Sequence, residues 1–223
     1  MEPPRPAALL AGPGEGALRT VATELATRGW NVAFGYARGR MSAEAFVRDL
    51  DARTARAVGL FGSPEEEGTG KVFVHRALEE LARLDALVVD AGRAPEHALH
   101  AVDDRDLVDA VTAGLLGTHR LVRAAVRSLE ETRGRIVVVG RANGTTGALV
   151  AGALASWAAA VGDELAPVGV GVACVAVGLP GGGAVQGVGE EGVARSVLEL
   201  LAGDPPAPGT RVDVAPGPLS SGP

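Results

Sequence analysis

The alternation of short apolar runs with amphipathic stretches is the feature that most constrains the fold of this 223-residue chain. The apolar runs predict strands at residues 7–12, 31–36, 55–61, 85–92, 134–140, 170–178 and 210–215. Apolar residues at helical spacing predict helices at residues 16–28, 42–53, 71–83, 103–130, 147–166 and 190–202. Continuously apolar strands that alternate with helices are typical of a parallel sheet covered on both faces. We therefore predict an α/β fold with a doubly wound, seven-stranded parallel sheet.

The length and the connections between these elements favour a single domain, because no linker is long enough to divide the chain. We predict that this domain covers residues 1–217 and that residues 218–223 form a loose C-terminal tail.

Composition excludes several classes of function. The net charge is −6 and the sequence has no basic stripe, which argues against nucleic acid and anionic membranes as partners. Cys174 is the single cysteine, which excludes an intramolecular disulfide and a cysteine-rich metal site. The longest uncharged apolar run, residues 148–162, is shorter than the ~20 residues of a membrane span. The first residues do not have the pattern of a signal peptide, so we expect a cytoplasmic protein. We also expect no metal site.

A glycine-rich turn, Gly12-Pro13-Gly14-Glu15-Gly16, joins the first predicted strand to the first predicted helix. Glycines at this place let a backbone approach a pyrophosphate, and the helix N-terminus that follows attracts anions. A tight strand-to-helix turn also needs glycine, so the pattern does not by itself define a nucleotide site. Pro13 has no N–H to donate, and Glu15 places a negative charge where phosphates would lie.

Further segments follow the later strands at regular spacing. They are Val89-Asp90-Ala91-Gly92, DELAPVGVGVACVAVG at residues 163–178, Pro208-Gly209-Thr210 and Ala215-Pro216-Gly217. Together with the glycine-rich turn they resemble, in order and spacing from residue 7 to residue 217, the motifs of the short-chain dehydrogenase/reductase family. Gly12 and Gly16 match two of the three glycines in the family's first motif, and Leu18 stands at the third. The resemblance implies a Rossmann-like fold and hydride transfer between NAD(P) and a carbonyl or alcohol.

The resemblance also implies which residues would contact a cofactor. The matching positions are Gly12, Gly14, Gly16, Arg38, Asp90 and Gly92. A basic residue such as Arg38 after the second strand favours NADP, because it meets the 2′-phosphate. The aspartate that holds adenine in the family is absent, and Leu60 lies near its place. The cofactor therefore stays undetermined: NADP is the candidate, and Pro13, Glu15 and Leu60 weaken it.

The family's catalytic residues are missing from their matching positions. Its serine falls on Arg141, its tyrosine near Gly147, its lysine near Ala151 and its asparagine on Gly114. Tyr36 and Lys71 are the single tyrosine and lysine of the chain, so the family's YxxxK pair cannot occur anywhere in it. The segment after Gly178 is also shorter than the family's usual substrate lid. We therefore expect no catalytic residue at these positions.

Two residues that follow the fifth strand face the predicted ligand crevice. Arg141 either binds a carboxylate or phosphate of a ligand, or pairs with an acidic residue and fills the vacated pocket. Asn143 either donates to a ligand or caps the turn. The sequence leaves both choices open.

Three functions are consistent with these observations. The favoured one is a subunit that has lost hydride transfer and assembles with itself or with an active relative through the helices at residues 103–130 and 147–166. The second is a non-redox enzyme, such as a cyclase, dehydratase or isomerase, that uses Asp90 and the crevice residues. The third is an atypical NADP-dependent reductase whose proton donor is water or His119.

Overall fold

The computed structural model describes residues 4–53, 56–94, 96–179 and 185–216, and it confirms the doubly wound parallel sheet. The strands are β1 Ala7–Gly12, β2 Asn31–Tyr36, β3 Ala57–Phe61, β4 Ala86–Asp90, β5 Arg135–Arg141, β6 Gly171–Val177, β7 Val185–Val188 and β8 Thr210–Ala215. Their order in the sheet is β3-β2-β1-β4-β5-β6-β8-β7, with parallel pairing. All seven predicted strands form. The structure adds the four-residue strand β7 at the edge, in a glycine-rich segment whose pattern does not predict a strand.

The helices follow the predicted alternation. They are α1 Ala17–Thr27, α2 Arg40–Arg53, α3 Thr69–Leu81, α4 Asp104–Val111, α5 Gly117–Thr132, α6 Gly144–Leu165 and α7 Gly189–Ala202. A π-helical segment, Thr112–Leu116, joins α4 to α5, so the helix predicted at residues 103–130 is continuous but locally widened. Gly114 lies in this segment, and a Cβ atom there would come within 2.6 Å of Val150 Cγ1 on α6. The widened turn is therefore packed tightly against α6.

The sheet separates two apolar cores, as the period of two along a strand requires. Leu10 belongs to the core that packs under α1, α2 and α7. Its neighbour Leu9 belongs to the core under α3, α5 and α6. Helices therefore cover both faces, as predicted, and the carboxyl ends of the strands meet at one edge, where the candidate site lies.

Helix α6 is long and apolar. By length and composition alone, Gly144–Val168 could cross a membrane, which the count of uncharged residues did not predict. In the fold, α6 packs against β5 and β6 with a face that includes Ala151 and Leu154. A Cβ atom on Gly140 of β5 would lie 3.0 Å from Ala151 Cα, so the two backbones are in close contact. The small residues of α6 thus serve core packing; the cytoplasmic location stays a prediction.

The predicted domain boundary also stays a prediction. Gly217 and the predicted tail at residues 218–223 lie outside the described residues.

Candidate functional site: a cleft at the carboxyl ends of the strands

A cleft of about 680 Å³ opens at the carboxyl edge of the sheet. Its described lining comes from the turn after β1, the ends of β2, β4 and β5, the loop after β3, and the start of α7. The lining residues include Gly12, Gly16, Arg38, Ser63, Asp90, Gly92, Arg141 and Glu190. Because β1 is flanked by β2 on one side and β4 on the other, the cleft lies where the strand order reverses. Open α/β sheets bind their ligands at this switch point.

Two of the predicted site residues do not line the cleft. Gly14 has φ of +88°, and a Cβ atom there would lie 2.7 Å from Tyr36 Cβ, so this glycine allows the turn to contact β2. Asn143 is not part of the cleft lining, and its Nδ2 donates a hydrogen bond to the carbonyl oxygen of Ala94. Its Oδ1 is buried and has no hydrogen-bond partner among the described residues. Neither residue is placed to contact a ligand in the cleft.

Arg141 and Asp90 form a buried ion pair at the floor of the cleft. Nη2 of Arg141 donates to Asp90 Oδ2 at 2.7 Å, and Nε donates to Oδ1 at 3.2 Å. The two side chains are 7% and 1% exposed. Asp90 Oδ1 also accepts a hydrogen bond from the N–H of Gly92 at 2.9 Å. Of the two roles that the sequence left open for Arg141, the structure shows the pairing with acidic residues.

Glu190, in the first turn of α7, contacts the other side of the same guanidinium. Arg141 Nη1 donates to Glu190 Oε1 at 2.9 Å, and Nη2 donates to Oε2 at 3.1 Å. Burial alone would lower the pKa of Arg141, but the nearby carboxylates of Asp90 and Glu190 outweigh it and raise that pKa above its ordinary value. The guanidinium therefore stays charged between two carboxylates.

The Glu190 carboxylate also reaches the N-terminus of α1. The backbone N–H of Ala17, the first residue of that helix, donates to Glu190 Oε2 at 2.8 Å. Arg93 Nη2 lies 3.4 Å from Oε1. Burial raises the pKa of Glu190. The charge of Arg141 and the hydrogen bond from Ala17 lower that pKa by more than burial raises it, so the net shift is downward. Glu190 is therefore an anion at the helix terminus where a dinucleotide phosphate would be expected.

The glycines of the first turn are needed for close approach. A Cβ atom on Gly12 would lie 2.9 Å from the carbonyl oxygen of Asp90. Gly16 has φ of +66°, and a Cβ atom there would lie 2.8 Å from Glu190 Oε2. The space above Gly16 that a pyrophosphate would need therefore holds a carboxylate.

These observations test how well the cleft fits a nicotinamide dinucleotide. Arg38 lies in the lining and offers a charge to a 2′-phosphate, and the carboxylates of Glu15, Glu65 and Glu66 line the same cleft. Leu60 is buried under α3 and does not line the cleft. A pyrophosphate cannot occupy its position at the N-terminus of α1 while Glu190 accepts the hydrogen bond from Ala17. The lining therefore offers a charged donor to a 2′-phosphate, and the position that a pyrophosphate would take is occupied by the Glu190 carboxylate.

The positions that the resemblance matches to the family's catalytic residues are tightly packed. A Cβ atom on Gly147 would lie 2.8 Å from both the carbonyl oxygen of Arg141 and Asn143 Oδ1. Ala151 is fully buried, and Gly114 is closed off by Val150. His119 is exposed on α5, where its ring stacks edge-on with Trp157 at 6.0 Å, outside the cleft lining. Within the described ranges, no group of three metal-ligating side chains comes together.

Glu190 is the functional residue that the sequence did not reveal. It lies 49 positions from Arg141 and 173 from Ala17, so its contacts depend on the tertiary fold. Its sequence signal is a pair of acidic residues, Glu190 and Glu191, at the start of a helix, and the helix dipole explains that pattern without a site. The contact of Arg93 with Glu190 was also missed, because the two residues are 97 positions apart and their contact depends on the tertiary fold.

Comparisons with known proteins give the family model that the chain matches and the relatives that it resembles. The family model described as short chain dehydrogenase matches residues 6–191. A 3-oxoacyl-[acyl-carrier-protein] reductase of Staphylococcus aureus is 26% identical over 141 residues, which are 63% of this chain and 57% of that relative. The corresponding reductase of Escherichia coli is 30% identical over 154 residues, 69% of this chain and 60% of the relative. The chain thus spans less than two thirds of the length of either relative.

A solved structure shows the same fold. A short chain dehydrogenase from Burkholderia cenocepacia in complex with NADP superimposes with a TM-score of 0.82 at 24% identity, and the match covers 96% of this chain and 97% of that one.

These comparisons correct the functional expectation. The sequence favoured a subunit that has lost hydride transfer, with a non-redox enzyme as an alternative. The matched family is one of dehydrogenases, and the relatives above are named as reductases. The expectation of a non-catalytic subunit is therefore wrong. It relied on the expected loss of the family's catalytic residues, on the short segment after Gly178 and on the apolar helices expected at a subunit interface. None of these excludes chemistry supplied by other groups in the cleft.

Proposed function

Because this chain belongs to the short chain dehydrogenase family, we propose that it is an oxidoreductase that binds NADP(H) in the cleft between β1, β2 and β4. The observation that carries the proposal is the cleft itself. It joins the Gly12–Gly16 turn and Arg38 at the point where the strand order reverses.

The residues of the cleft suggest how the nucleotide would be held. The guanidinium of Arg38 would bind the 2′-phosphate, and the backbone between Asp90 and Gly92 would lie against the adenosine half. When bound, the nicotinamide cofactor supplies or accepts the hydride. Arg141 and Asp90 fix the floor of the cleft, since their ion pair is buried and bidentate.

We further propose that the chain is a divergent member in which Arg141, Gly147 and Ala151 stand at the family's serine, tyrosine and lysine positions. The crowding around Gly147 supports this, since a side chain there would collide with the Arg141 carbonyl oxygen. Within the described lining, Asp90, Arg141 and Glu190 pair with one another, and the other titratable groups are Glu15, Arg38, Glu65, Glu66 and Arg93. A water molecule is then the proton donor that the open cleft can supply.

Titration and turnover test this function together. NADPH and NADH are titrated into the protein by calorimetry, and NADPH oxidation is then followed with 3-oxoacyl thioesters and simple ketones. The proposal expects saturable binding, with NADPH tighter than NADH, and NADPH oxidation with at least one carbonyl compound. The absence of binding at millimolar nucleotide would overturn it.

Self-assembly through α5 and α6 is also part of the proposal. Only about a third of the residues in the most apolar stretch of α6 are buried within one copy of the chain. Leu149 on α6 and Leu116 beside α5 are 50% and 37% exposed. A second copy that covers this face would remove apolar surface from water.

A further inference from the structure

We propose that the Glu190 carboxylate is an internal substitute for a nucleotide phosphate: it closes the pyrophosphate position, and a dinucleotide must displace it to bind. The proposal rests on the NADP(H)-binding function above and adds the regulation of that site.

The contacts of Glu190 are those that a bound phosphate would make. Its two oxygens accept hydrogen bonds from the Ala17 N–H at the start of an eleven-residue helix and from the Arg141 guanidinium. Arg93 approaches from the solvent side. A helix N-terminal amide combined with guanidinium groups is the donor set that proteins use for phosphates and carboxylates alike.

The carboxylate and a phosphate cannot occupy this position together. Glu190 Oε2 lies 2.8 Å from the place of a Gly16 Cβ atom, so the carboxylate fills the approach to the glycine turn. Ala17 has one N–H, and it already donates to Glu190. Two anions on the same donors would also repel each other. Binding of a pyrophosphate therefore requires Glu190 to leave.

Moving the Glu190 side chain out of this position should cost less free energy than breaking the Arg141–Asp90 ion pair. The Glu190 side chain is 41% exposed and lies in the first turn of its helix, so it can rotate into water. Arg141 keeps both hydrogen bonds to Asp90 after Glu190 leaves, and no buried charge loses its last partner. The freed Nη1 of Arg141 then faces the incoming phosphate.

The charge of the position changes as Glu190 leaves. With Glu190 in place, its carboxylate and that of Asp90 balance Arg141 and Arg93. Without it, Arg141 and Arg93 exceed Asp90 by one positive charge, which favours an anion beside the N-terminus of α1, while the Glu15 carboxylate remains in the cleft lining. Only molecules in which Glu190 has left the position can bind the pyrophosphate. The apparent affinity equals the intrinsic affinity multiplied by the fraction of such molecules, so wild type should bind dinucleotides more weakly than a protein without this carboxylate.

The test compares Glu190→Ala and Glu190→Gln with wild type, and uses Glu191→Gln as the matched control. Glu191 is the next residue in the same helical turn, and it is exposed. NADPH dissociation constants are measured by fluorescence. A second probe, 2′-AMP, carries the adenosine 2′-phosphate but no pyrophosphate.

We expect Glu190→Ala to tighten NADPH binding at least tenfold, and Glu190→Gln to tighten it less, because the amide oxygen can still accept from Ala17. Glu191→Gln should stay within twofold of wild type, and 2′-AMP should bind all four proteins equally. If wild type binds NADPH and both Glu190 variants bind it equally or more weakly, the inference is overturned and the proposed function stands. If no protein binds NADPH, both are overturned.

Discussion

Glu190 accepts a hydrogen bond from the backbone N–H of Ala17 at 2.8 Å, although the two residues are 173 positions apart in the chain. This contact ties the start of α7 to the start of α1 across the carboxyl edge of the sheet. Because Arg141 donates to the same carboxylate, the anion position at α1 and the floor of the cleft form one connected cluster. A change in either one should therefore affect both stability and nucleotide binding.

Replacement of Arg141 should be strongly destabilising. Arg141→Ala leaves the Asp90 carboxylate, which is 1% exposed, without its charged partner. Loss of one partner from a buried ion pair costs about 3–5 kcal/mol. Urea unfolding measures the change, and Arg105→Ala is the control, because Arg105 is 88% exposed. A loss no greater than that of the control would show that the Arg141–Asp90 pair does not stabilise the fold.

Two glycines of α6 should respond in opposite ways to alanine. At Gly147 the new Cβ atom would lie 2.8 Å from a backbone oxygen, and overpacking of this kind costs about 1–3 kcal/mol. At Gly152 nothing lies within 4 Å, so Gly152→Ala should stabilise the protein by up to about 1 kcal/mol through helix propensity. Thermal and urea unfolding of the two variants provide the comparison. Equal effects would contradict the close packing around Gly147.

The stability of the protein should depend on pH through Glu190. Its folded-state pKa is lowered, because the Arg141 charge and the Ala17 hydrogen bond outweigh burial. A lowered pKa gives stability that is present above the unfolded-state pKa, near 4.5, and is lost as the pH falls through the folded-state value. The advantage of wild type over Glu190→Gln should thus shrink as the pH is lowered from neutral through that range. A difference between wild type and Glu190→Gln that stays constant over this pH range would refute the assignment.

Arg38 should set the preference between the two nicotinamide cofactors. It lies in the cleft lining after β2, where the 2′-phosphate of NADP would approach. We expect Arg38→Ala to weaken NADPH binding about tenfold and to leave NADH nearly unchanged, since only NADPH carries the phosphate that a charged donor binds. Arg40→Ala is a neighbouring control, because Arg40 pairs with Glu44 on α2. An equal loss of affinity for NADPH and NADH would mean that Arg38 does not bind the 2′-phosphate.

Self-association should depend on the outer face of α6. Leu149→Glu places a charge on a half-exposed apolar position and should shift the protein towards the monomer. Light scattering after size-exclusion chromatography measures the mass. Val72→Glu, at a 57% exposed position on α3, serves as the control and should leave the mass unchanged. A wild-type protein that is already monomeric would contradict the proposed assembly.

The sequence predicted the fold because apolar strands, helical spacing and glycine turns are local patterns. The family resemblance assigned Gly12, Arg38 and Asp90 to one cofactor site, and Arg141 was expected at the crevice at the strand ends; all four line the same cleft. The role of Gly14 was not predictable, since its contact with Tyr36 depends on how the turn packs on β2. Other side-chain contacts between elements that are distant in the sequence could not be predicted either, because they also depend on tertiary packing.

Glu190 makes the clearest example of such a contact. An acidic residue at the start of α7 is favourable for the helix whether or not it has a partner. Its contact with Ala17 exists only because the sheet brings the first and last helices together. Asn143 is another such case: its position left open a ligand contact or a cap of the turn, and in the structure its Nδ2 donates to the carbonyl oxygen of Ala94.

A crystal structure of the wild-type protein with NADPH tests the central claim most directly. We expect the adenosine half beside Arg38, a pyrophosphate oxygen at the N–H of Ala17, and the Glu190 side chain turned away from that N–H. The Arg141–Asp90 pair should remain intact in the same crystal. A nucleotide bound elsewhere, or bound in the cleft with the Glu190–Ala17 hydrogen bond still in place, would contradict the account.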